Sequence, residues 1–344
     1  MIGSRLALLV GACVVTVAAQ QPQNPSPMVE HTRAHPRLKE ETPPGRREAL
    51  ELGSLYLPAP LKSPAPLFVH FHGGTWLPEV AAARTGRTAV ISMQLGSGSG
   101  AYAKPFADPQ LFARLIAEAE SKTHLTFAPV TLTAWSAGYG AVREILKVPA
   151  NYARVDRVLL IDGLHTGYAS GTPGTGATQS SQLDADGLQI FLQFARDAVA
   201  GRKQMIVTHS EIFPGTFAST TETTDWLLAQ LGLTRTAVVK WGPMATQQLS
   251  EVRAGKFLLV GYAGNSAPDH VDQLHSLPDY LKWFKGVRPG SNRGQTGVRR
   301  GGPFIRLRLR LPGAQGATSW RPHLLLEGRA AKDLIVRSDP VCPG

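Results

Sequence analysis

The feature that most constrains this chain is the alternation of short apolar runs with longer helical patterns between Leu50 and Phe284. Most of the runs are continuously apolar, as strands buried on both faces are. Strands that alternate with helices are typical of βαβ units and a parallel sheet. The sequence therefore predicts an α/β fold with a mostly parallel central sheet and helices on both faces. The predicted strands are 50–57, 66–71, 88–93, 129–135, 157–161, 204–208 and 256–262.

The first nineteen residues predict a signal peptide, residues 1–19. Arg5 precedes an apolar run from Leu6 to Val17, and Ala18 and Ala19 follow it. The run is shorter than the roughly 20 residues that a membrane-spanning helix needs. We expect cleavage near Ala19, a secreted or periplasmic protein, and no stable membrane insertion afterwards. An uncleaved anchor and a lipoprotein cleavage site at Cys13 are the alternatives.

Composition divides the rest of the chain into three parts. Residues 20–48 are rich in Pro and Gln without an apolar period, which indicates a flexible tether. Residues 49–286 hold the predicted domain. Residues 287–344 contain eleven Arg or Lys residues against three acidic ones, so this basic tail carries most of the net charge of +11. Because the domain itself is nearly neutral, the charge predicts no nucleic-acid partner. We expect a peripheral tail, with a second functional domain as the alternative.

A strand that runs directly into a serine and then a helix is the central chemical motif. Residues 130–140 read Val-Thr-Leu-Thr-Ala-Trp-Ser-Ala-Gly-Tyr-Gly, with Ser136 at the junction. A sharp turn there, called a nucleophile elbow, needs small residues two positions before and after the serine, and Ala134 and Gly138 meet this need. The amide of Ala137 then faces the reacting carbonyl oxygen. A purely structural turn is the alternative.

A second motif, Phe68-Val-His-Phe-His-Gly-Gly-Thr75, follows an earlier apolar strand with a His-Gly-Gly turn. With these two motifs and this element order, the region from Leu50 to Phe284 resembles the α/β-hydrolase family, especially its serine esterases and lipases. The resemblance implies an α/β-hydrolase fold and a second oxyanion amide at Gly74 or Thr75. Two fixed amides stabilise the charge of the tetrahedral transition state. A plain tight turn is the alternative.

The resemblance also implies a histidine base after the last strand and an acid between the serine and that histidine. The loop 265–269 leads to His270, which we predict as the base ahead of its competitor His275. Asp162 and Glu211 each follow a strand in the required interval. The family usually places the acid after the later strand, which favours Glu211, whereas Asp162 is of the commoner residue type. Both stay candidates, with Asp162 slightly preferred.

Four further side chains lie beside these motifs, and we predict them as substrate-binding: His72, Trp135, His165 and His209. His70 and His72 form a His-x-His pair, but no further ligands stand at metal-motif spacing, so we predict no metal. The predicted function is hydrolysis of a small-molecule or polymer-linked carboxylic ester without a cofactor. A peptidase, an acyltransferase and a noncatalytic binding protein are the alternatives, because a fold does not determine an activity. The sequence does not predict an oligomeric state.

Overall fold

A ten-stranded sheet runs through the part of the chain that the computed structural model describes, residues 37–171 and 182–286. Its spatial order is β1-β2-β4-β3-β5-β6-β7-β10-β9-β8. The neighbours from β4 to β10 pair in parallel, and the outer pairs are antiparallel. The predicted α/β fold with a mostly parallel central sheet is therefore confirmed. The strands are β1 (Arg46–Ala49), β2 (Ser54–Leu57), β3 (Ala65–Phe71), β4 (Ala89–Met93), β5 (Phe127–Trp135), β6 (Arg157–Ile161), β7 (Gln204–His209), β8 (Thr236–Trp241), β9 (Gln247–Ala254) and β10 (Phe257–Tyr262).

Helices cover both faces of this sheet, as predicted. One apolar core contains side chains of α2, α3, α4, α6 and α7, and a second core contains side chains of α1, α8 and α9. The helices of the described residues are α1 (Trp76–Thr85), α2 (Ser99–Phe106), α3 (Leu111–Thr123), α4 (Tyr139–Lys147), α5 (Pro149–Arg154), α6 (Gln189–Val199), α7 (Thr220–Leu231), α8 (Ala267–His275) and α9 (Leu277–Gly286).

The central strand β6 shows why its sequence is continuously apolar. Val158 and Leu160 lie in the first core, while Leu159 and Ile161 lie in the second. Successive side chains of a strand point to opposite faces, so a strand between two helical layers buries every side chain. All four are fully buried. This double burial places the carboxyl ends of the parallel strands at one edge of the domain.

The structure differs from the sequence prediction at the start of the domain. Residues 50–57, predicted as one strand, form the turn and the second strand of a hairpin, in which the Leu50 amide donates to the Gly53 carbonyl and Gly53 has φ +81°. Three of the four residues of the first strand of that hairpin, β1, lie in the predicted tether 20–48. Residues 37–48 therefore belong with the domain predicted as 49–286. The predicted signal peptide 1–19, residues 20–36 and the basic tail 287–344 lie outside the described residues.

The antiparallel strands β8 and β9 were not predicted either. β8 is almost entirely exposed and β9 is half-buried. Strands that are not buried on both faces lack the continuously apolar pattern of the central ones. None of the helices in residues 37–171 and 182–286 has the length and apolar character needed to cross a membrane.

An ion pair fastens the earliest described residues to α8. Arg37 Nε donates to Asp272 Oδ1 at 2.5 Å, and Arg37 also donates to the Pro268 carbonyl at 3.0 Å. The Asp272 side chain is fully buried, whereas that of Arg37 is 38% exposed. A buried carboxylate without its partner is costly, so this contact holds α8 in place from outside the sheet.

We predict that Arg37→Ala lowers the free energy of unfolding by about 1 to 3 kcal/mol, because it leaves a buried carboxylate without its charged donor. Urea unfolding at neutral pH measures the change. Lys282→Ala is the control, since it breaks the exposed pair with Asp279 and should cost at most about 1 kcal/mol. Equal losses in the two variants would contradict the proposed role of the Arg37 contact.

Candidate active site

The junction after β5 holds Ser136 in a left-handed backbone conformation, with φ +46°. Such a conformation is strained for a residue other than glycine and persists only where its surroundings fix it. Ala134 is fully buried opposite Phe71 of β3. A Cβ on Gly138 would lie 2.3 Å from the Phe71 carbonyl oxygen. The small residues of the motif are thus required by the close approach of β3.

Gly163, a residue outside the motif, also fixes the serine. A Cβ placed on Gly163 would lie 2.5 Å from both the amide nitrogen and the carbonyl oxygen of Ser136. The end of β6 therefore touches the backbone of the turn after β5. The preceding residue, Asp162, is itself left-handed, with φ +44°. The two strained residues, Ser136 and Asp162, thus lie at the ends of adjacent strands whose backbones are in contact.

Asp162 contacts the predicted base. His270 Nδ1 donates to Asp162 Oδ2 at 2.7 Å, which leaves Nε2 of the ring free. The carboxylate is almost fully buried. Burial alone would raise the pKa of Asp162, but the hydrogen bonds from His270 and Ser210 and the charge of His270 outweigh it and lower that pKa to about 2. The carboxylate is therefore ionised across the neutral range.

Ser210 is a site residue that sequence reasoning missed. Its amide donates to Asp162 Oδ1 at 2.9 Å, and its hydroxyl donates to Oδ2 at 2.6 Å. Ser210 is buried and follows the end of β7 directly. The available signal was its position at the carboxyl end of a buried strand beside that of Asp162. The candidate acid Glu211 is the next residue at this strand end.

Glu211 is not brought to His270. Its amide donates to the Gly264 carbonyl at 2.7 Å, and its Oε2 accepts from the Gly264 amide at 3.4 Å. The exposed Glu211 lines a different cavity, together with His209 and Arg235. Of the two candidate acids, the structure places Asp162 alone against the histidine. The reason is that the chain leaves β7 with Ser210 directed inward and Glu211 directed outward.

His270 lies in the first turns of α8, not in a loop before the next helix as predicted. A capping box begins this helix: Ser266 Oγ and the Ser266 amide both donate to Asp269 Oδ2, at 2.8 and 2.9 Å. A helix turn fixes the direction of the imidazole more firmly than a loop would. The competitor His275 ends the same helix and lies beside Trp76, with ring centroids 5.9 Å apart.

Ser136 and His270 line one common cavity, together with Asp162. No hydrogen bond joins the side chains of Ser136 and His270 within the described residues. In enzymes without substrate, hydrogen bonds of this kind are often long and shorten when the substrate binds. The arrangement thus has a hydroxyl, an imidazole and an ionised carboxylate in the order that acyl transfer requires.

Two predicted substrate-binding residues lie behind the histidine. Trp135 is stacked on His72 at 5.0 Å and contacts the His270 ring at 4.5 Å, and its Nε1 donates to the His270 carbonyl at 3.0 Å. His72 Nδ1 lies 2.7 Å from the Tyr102 hydroxyl. Burial, and secondly the charge of His270, lower the pKa of His72. Neither Trp135 nor His72 lines the two cavities at Ser136, and their assignment as substrate-binding residues stays a prediction.

The other two predicted substrate-binding residues separate. His165 lines both cavities that reach Ser136, and its Nδ1 donates to the Ala218 carbonyl at 2.9 Å. Burial lowers the pKa of His165, which favours the neutral ring. His209 is buried away from Ser136, where its Nε2 accepts from Arg235 at 2.8 Å. His209 lines a different cavity, together with Arg235, and its assignment as a substrate-binding residue stays a prediction.

The predicted oxyanion residues occupy two turns. Ala137 lines a cavity at Ser136. The chain reverses at His72 and Gly73, which have φ +75° and +97°, and the Gly73 amide donates to Gln94 Oε1 at 2.9 Å. Gly74 and Thr75 follow as exposed residues at the start of α1 and line neither cavity at Ser136. The assignment of a second oxyanion amide to Gly74 or Thr75 stays a prediction.

No cluster of three or more His, Cys, Asp or Glu side chains able to hold a metal ion occurs in residues 37–171 and 182–286. The predicted His-x-His pair does not share a site. His70 is buried, and its Nδ1 lies 2.8 Å from Thr133 Oγ1. Burial lowers the pKa of His70 to about 3, so it is a neutral core residue. His72 lies beyond the strand in a left-handed conformation.

We predict that Gly163→Ala lowers the free energy of unfolding by about 1 to 3 kcal/mol, because its methyl group would displace the Ser136 backbone. Gly100→Ala is the control. A Cβ at Gly100 meets no atom within 4 Å, so this change should alter stability by less than about 1 kcal/mol. Urea unfolding of both variants decides, and a Gly163→Ala variant as stable as the control would contradict the tight contact.

Comparisons with known proteins find solved structures that are similar to this chain. No protein-family model and no curated protein sequence matches the chain. Solved structures similar to it include an esterase of Pyrobaculum calidifontis (13% identity, 76% of this chain and 90% of that chain, TM-score 0.44), the acetyl xylan esterase from Aspergillus awamori (15%, 67% and 93%, TM-score 0.40) and a soluble variant of the monoglyceride lipase from Saccharomyces cerevisiae (7%, 72% and 98%, TM-score 0.37).

Identities and TM-scores this low carry no conclusion about activity. The fold is instead identified from this chain itself. Its parallel strands are flanked by helices on both faces, and its strand, strained serine and helix follow one another at the carboxyl edge of the sheet. The described domain therefore has the α/β-hydrolase fold.

Proposed function

We propose that this protein is a serine hydrolase that cleaves carboxylic esters through an acyl-enzyme intermediate. The observation that carries the proposal is the 2.7 Å hydrogen bond between His270 Nδ1 and Asp162, in a cavity that Ser136 also lines. The buried, ionised carboxylate favours the ring tautomer that keeps Nε2 available as a base. It also stabilises the charged imidazolium that forms during the reaction.

The reaction proceeds in two stages. His270 Nε2 accepts the proton of Ser136 while Oγ forms a bond to the carbonyl carbon of the ester. The tetrahedral intermediate collapses, the bond to the alcohol oxygen breaks, and His270 returns the proton to that oxygen. Water then attacks the acyl-enzyme with His270 as base, and the acid and free Ser136 are released. No cofactor takes part in these steps.

The transition state requires donors for its negative oxygen. We assign one to the amide of Ala137, which lines the cavity beside Ser136. The second is the amide of Gly74 or Thr75, which follows the His72 turn. Each fixed donor of this kind contributes about 3 to 4 kcal/mol to catalysis, because it is oriented before the charge develops.

The N-terminal residues of the chain support a proposal for its location. We propose that residues 1–19 act as a signal peptide and that the mature protein works in a secreted or periplasmic setting on a small-molecule or polymer-linked ester. Mass spectrometry of the exported protein would locate the mature N-terminus. A chain that retains Met1 would contradict the cleavage.

Covalent labelling and two substitutions test the nucleophile and the acid. A fluorophosphonate should label Ser136 in the intact protein, and Ser136→Ala should abolish labelling, because only an activated serine reacts. Asp162→Asn should lower kcat/KM by roughly 10³-fold or more, since it removes the carboxylate that orients the histidine. The matched change Glu211→Gln should cost less than about 10-fold.

Three outcomes would contradict different parts of the proposal. A folded protein that stays unlabelled and hydrolyses no ester would indicate a noncatalytic binding protein. A protein that is labelled equally after Ser136→Ala would place the nucleophile elsewhere. Equal losses for Asp162→Asn and Glu211→Gln would reject the assignment of the acid.

We predict that Ser210 is a positioning residue, which acts through Asp162. Ser210→Ala removes the 2.6 Å hydrogen bond to Asp162 and should lower kcat about 10-fold with little change in KM. Because its carboxylate loses a hydrogen-bond donor, Asp162 should have a higher pKa in this variant. Activity should therefore begin to fall at a higher pH when the solution is made acidic. Ser210→Thr retains a hydroxyl and should restore much of the activity. A Thr variant no better than Ala, with an unchanged pH profile, would indicate a purely structural role.

A further inference from the structure

Two cavities meet at Ser136, and their linings differ. The first, of about 270 Å³, is called the apolar lobe; Ile212, Pro214, Phe217 and Ala267 form its apolar side, and Asp162, Thr220, Asn265 and His270 line its polar side. The second, of about 350 Å³, is named the hydroxyl lobe; its lining includes Ser97, Ser99, Ala137, Tyr139 and Thr166. Ser136, His165 and Phe217 line both lobes, so the serine stands at their junction.

The position of His270 determines which part of an ester enters each lobe. The imidazole must deliver a proton to the oxygen of the departing alcohol, so that oxygen must lie within hydrogen-bond reach of it. His270 lines the apolar lobe and not the hydroxyl lobe. The alcohol therefore occupies the apolar lobe. The acyl group, which stays bonded to Ser136, occupies the hydroxyl lobe beside Ala137.

The apolar lobe favours an apolar alcohol. Its apolar side chains come mainly from the segment between β7 and α7, where Ile212, Pro214 and Phe217 line the cavity. The apolar surface continues outside, because Phe213 is 52% exposed and Phe217 is 41% exposed. Burying an aromatic or branched alcohol against these side chains removes apolar area from water, which a short polar alcohol cannot do.

The hydroxyl lobe favours an acyl group that forms hydrogen bonds. The Tyr139 hydroxyl donates to Ser99 Oγ at 3.3 Å, and the Ser99 oxygen keeps further hydrogen-bonding capacity. The hydroxyl of Ser97 forms no hydrogen bond to another described residue. An alkyl chain placed here would displace water from these hydroxyls without replacing its hydrogen bonds, and this is unfavourable. A substituent with an oxygen would replace them.

We propose that the preferred substrates are esters that join an aromatic or branched apolar alcohol to a short acyl group carrying a hydroxyl. The proposal rests on the proposed function, because it uses His270 as the group that protonates the alcohol. It identifies Ile212 as a determinant of alcohol preference. It identifies Ser97 and Ser99 as determinants of acyl preference.

The test assays the full-length protein with four esters. They are the ethyl and 2-phenylethyl esters of butanoic and of 3-hydroxybutanoic acid. For the unchanged enzyme, kcat/KM should be at least about 10-fold higher for 2-phenylethyl than for ethyl esters, and higher for 3-hydroxybutanoates than for butanoates. Ile212→Ser should reduce the first preference and leave the second. Replacing Ser97 and Ser99 together by Ala should do the opposite.

Pre-steady-state kinetics supply a second readout. Esters of one acid give the same acyl-enzyme, so its hydrolysis rate cannot depend on the alcohol. Ile212→Ser should therefore slow acylation alone, whereas the double serine variant should also change deacylation of the 3-hydroxybutanoyl enzyme. Ser121→Ala, a change at an exposed serine of α3, is the matched control and should alter neither preference.

Each outcome bears on the assignment. Exchange of the two variant phenotypes, or equal rates for all four esters, would overturn the lobe assignment and leave the serine hydrolase intact. Absence of turnover together with absence of fluorophosphonate labelling would refute the proposed function itself. Thermal unfolding of each variant separates loss of fold from loss of preference.

Discussion

The buried carboxylate of Asp162 connects three neighbouring parts of the fold. Asp162 follows β6, it accepts two hydrogen bonds from Ser210 after β7, and it accepts one from His270 in α8, which follows β10. A buried charge is tolerated only where such partners compensate its lost hydration. The same contacts that make Asp162 acceptable inside the protein therefore determine where the imidazole lies and which of its nitrogens is free.

The parallel sheet makes this convergence possible. Parallel strands end at one edge, and open α/β sheets bind ligands in the crevice outside those ends. Ser136 and Asp162 both adopt left-handed conformations there, and Gly163 lies directly against the serine backbone. The strain is local, whereas the strands behind it are buried in two apolar cores. The rigidity of those cores supports residues whose own conformations are unfavourable.

Features that depend on a local sequence pattern were predicted, whereas features that depend on contacts between distant parts of the chain were not. The buried strands and the turn at Ser136 carry their own signals in apolar runs and small residues. Asp162 and Glu211 could not be separated, because both follow strands and only the direction of the chain after β7 decides between them. The strand β8 lacks an apolar pattern, since it is exposed on the edge of the sheet. The position of His270 in a helix could have been predicted from the sequence, because Ser266 and Asp269 have the spacing of a capping box.

The contact between Arg37 and Asp272 spans 235 residues of the chain. Proteins leave the ribosome with the N-terminus first, so Arg37 is free for most of the time in which the domain is being synthesised. Its partner arrives only after β10 has been made, on the helix that bears His270. The contact thus closes among the last steps of assembly, and the histidine acquires its final anchorage only once nearly the whole domain exists. An incomplete chain that stops before α8 contains Ser136 and Asp162 without the imidazole of His270, and under the proposed mechanism it could not yet cleave an ester.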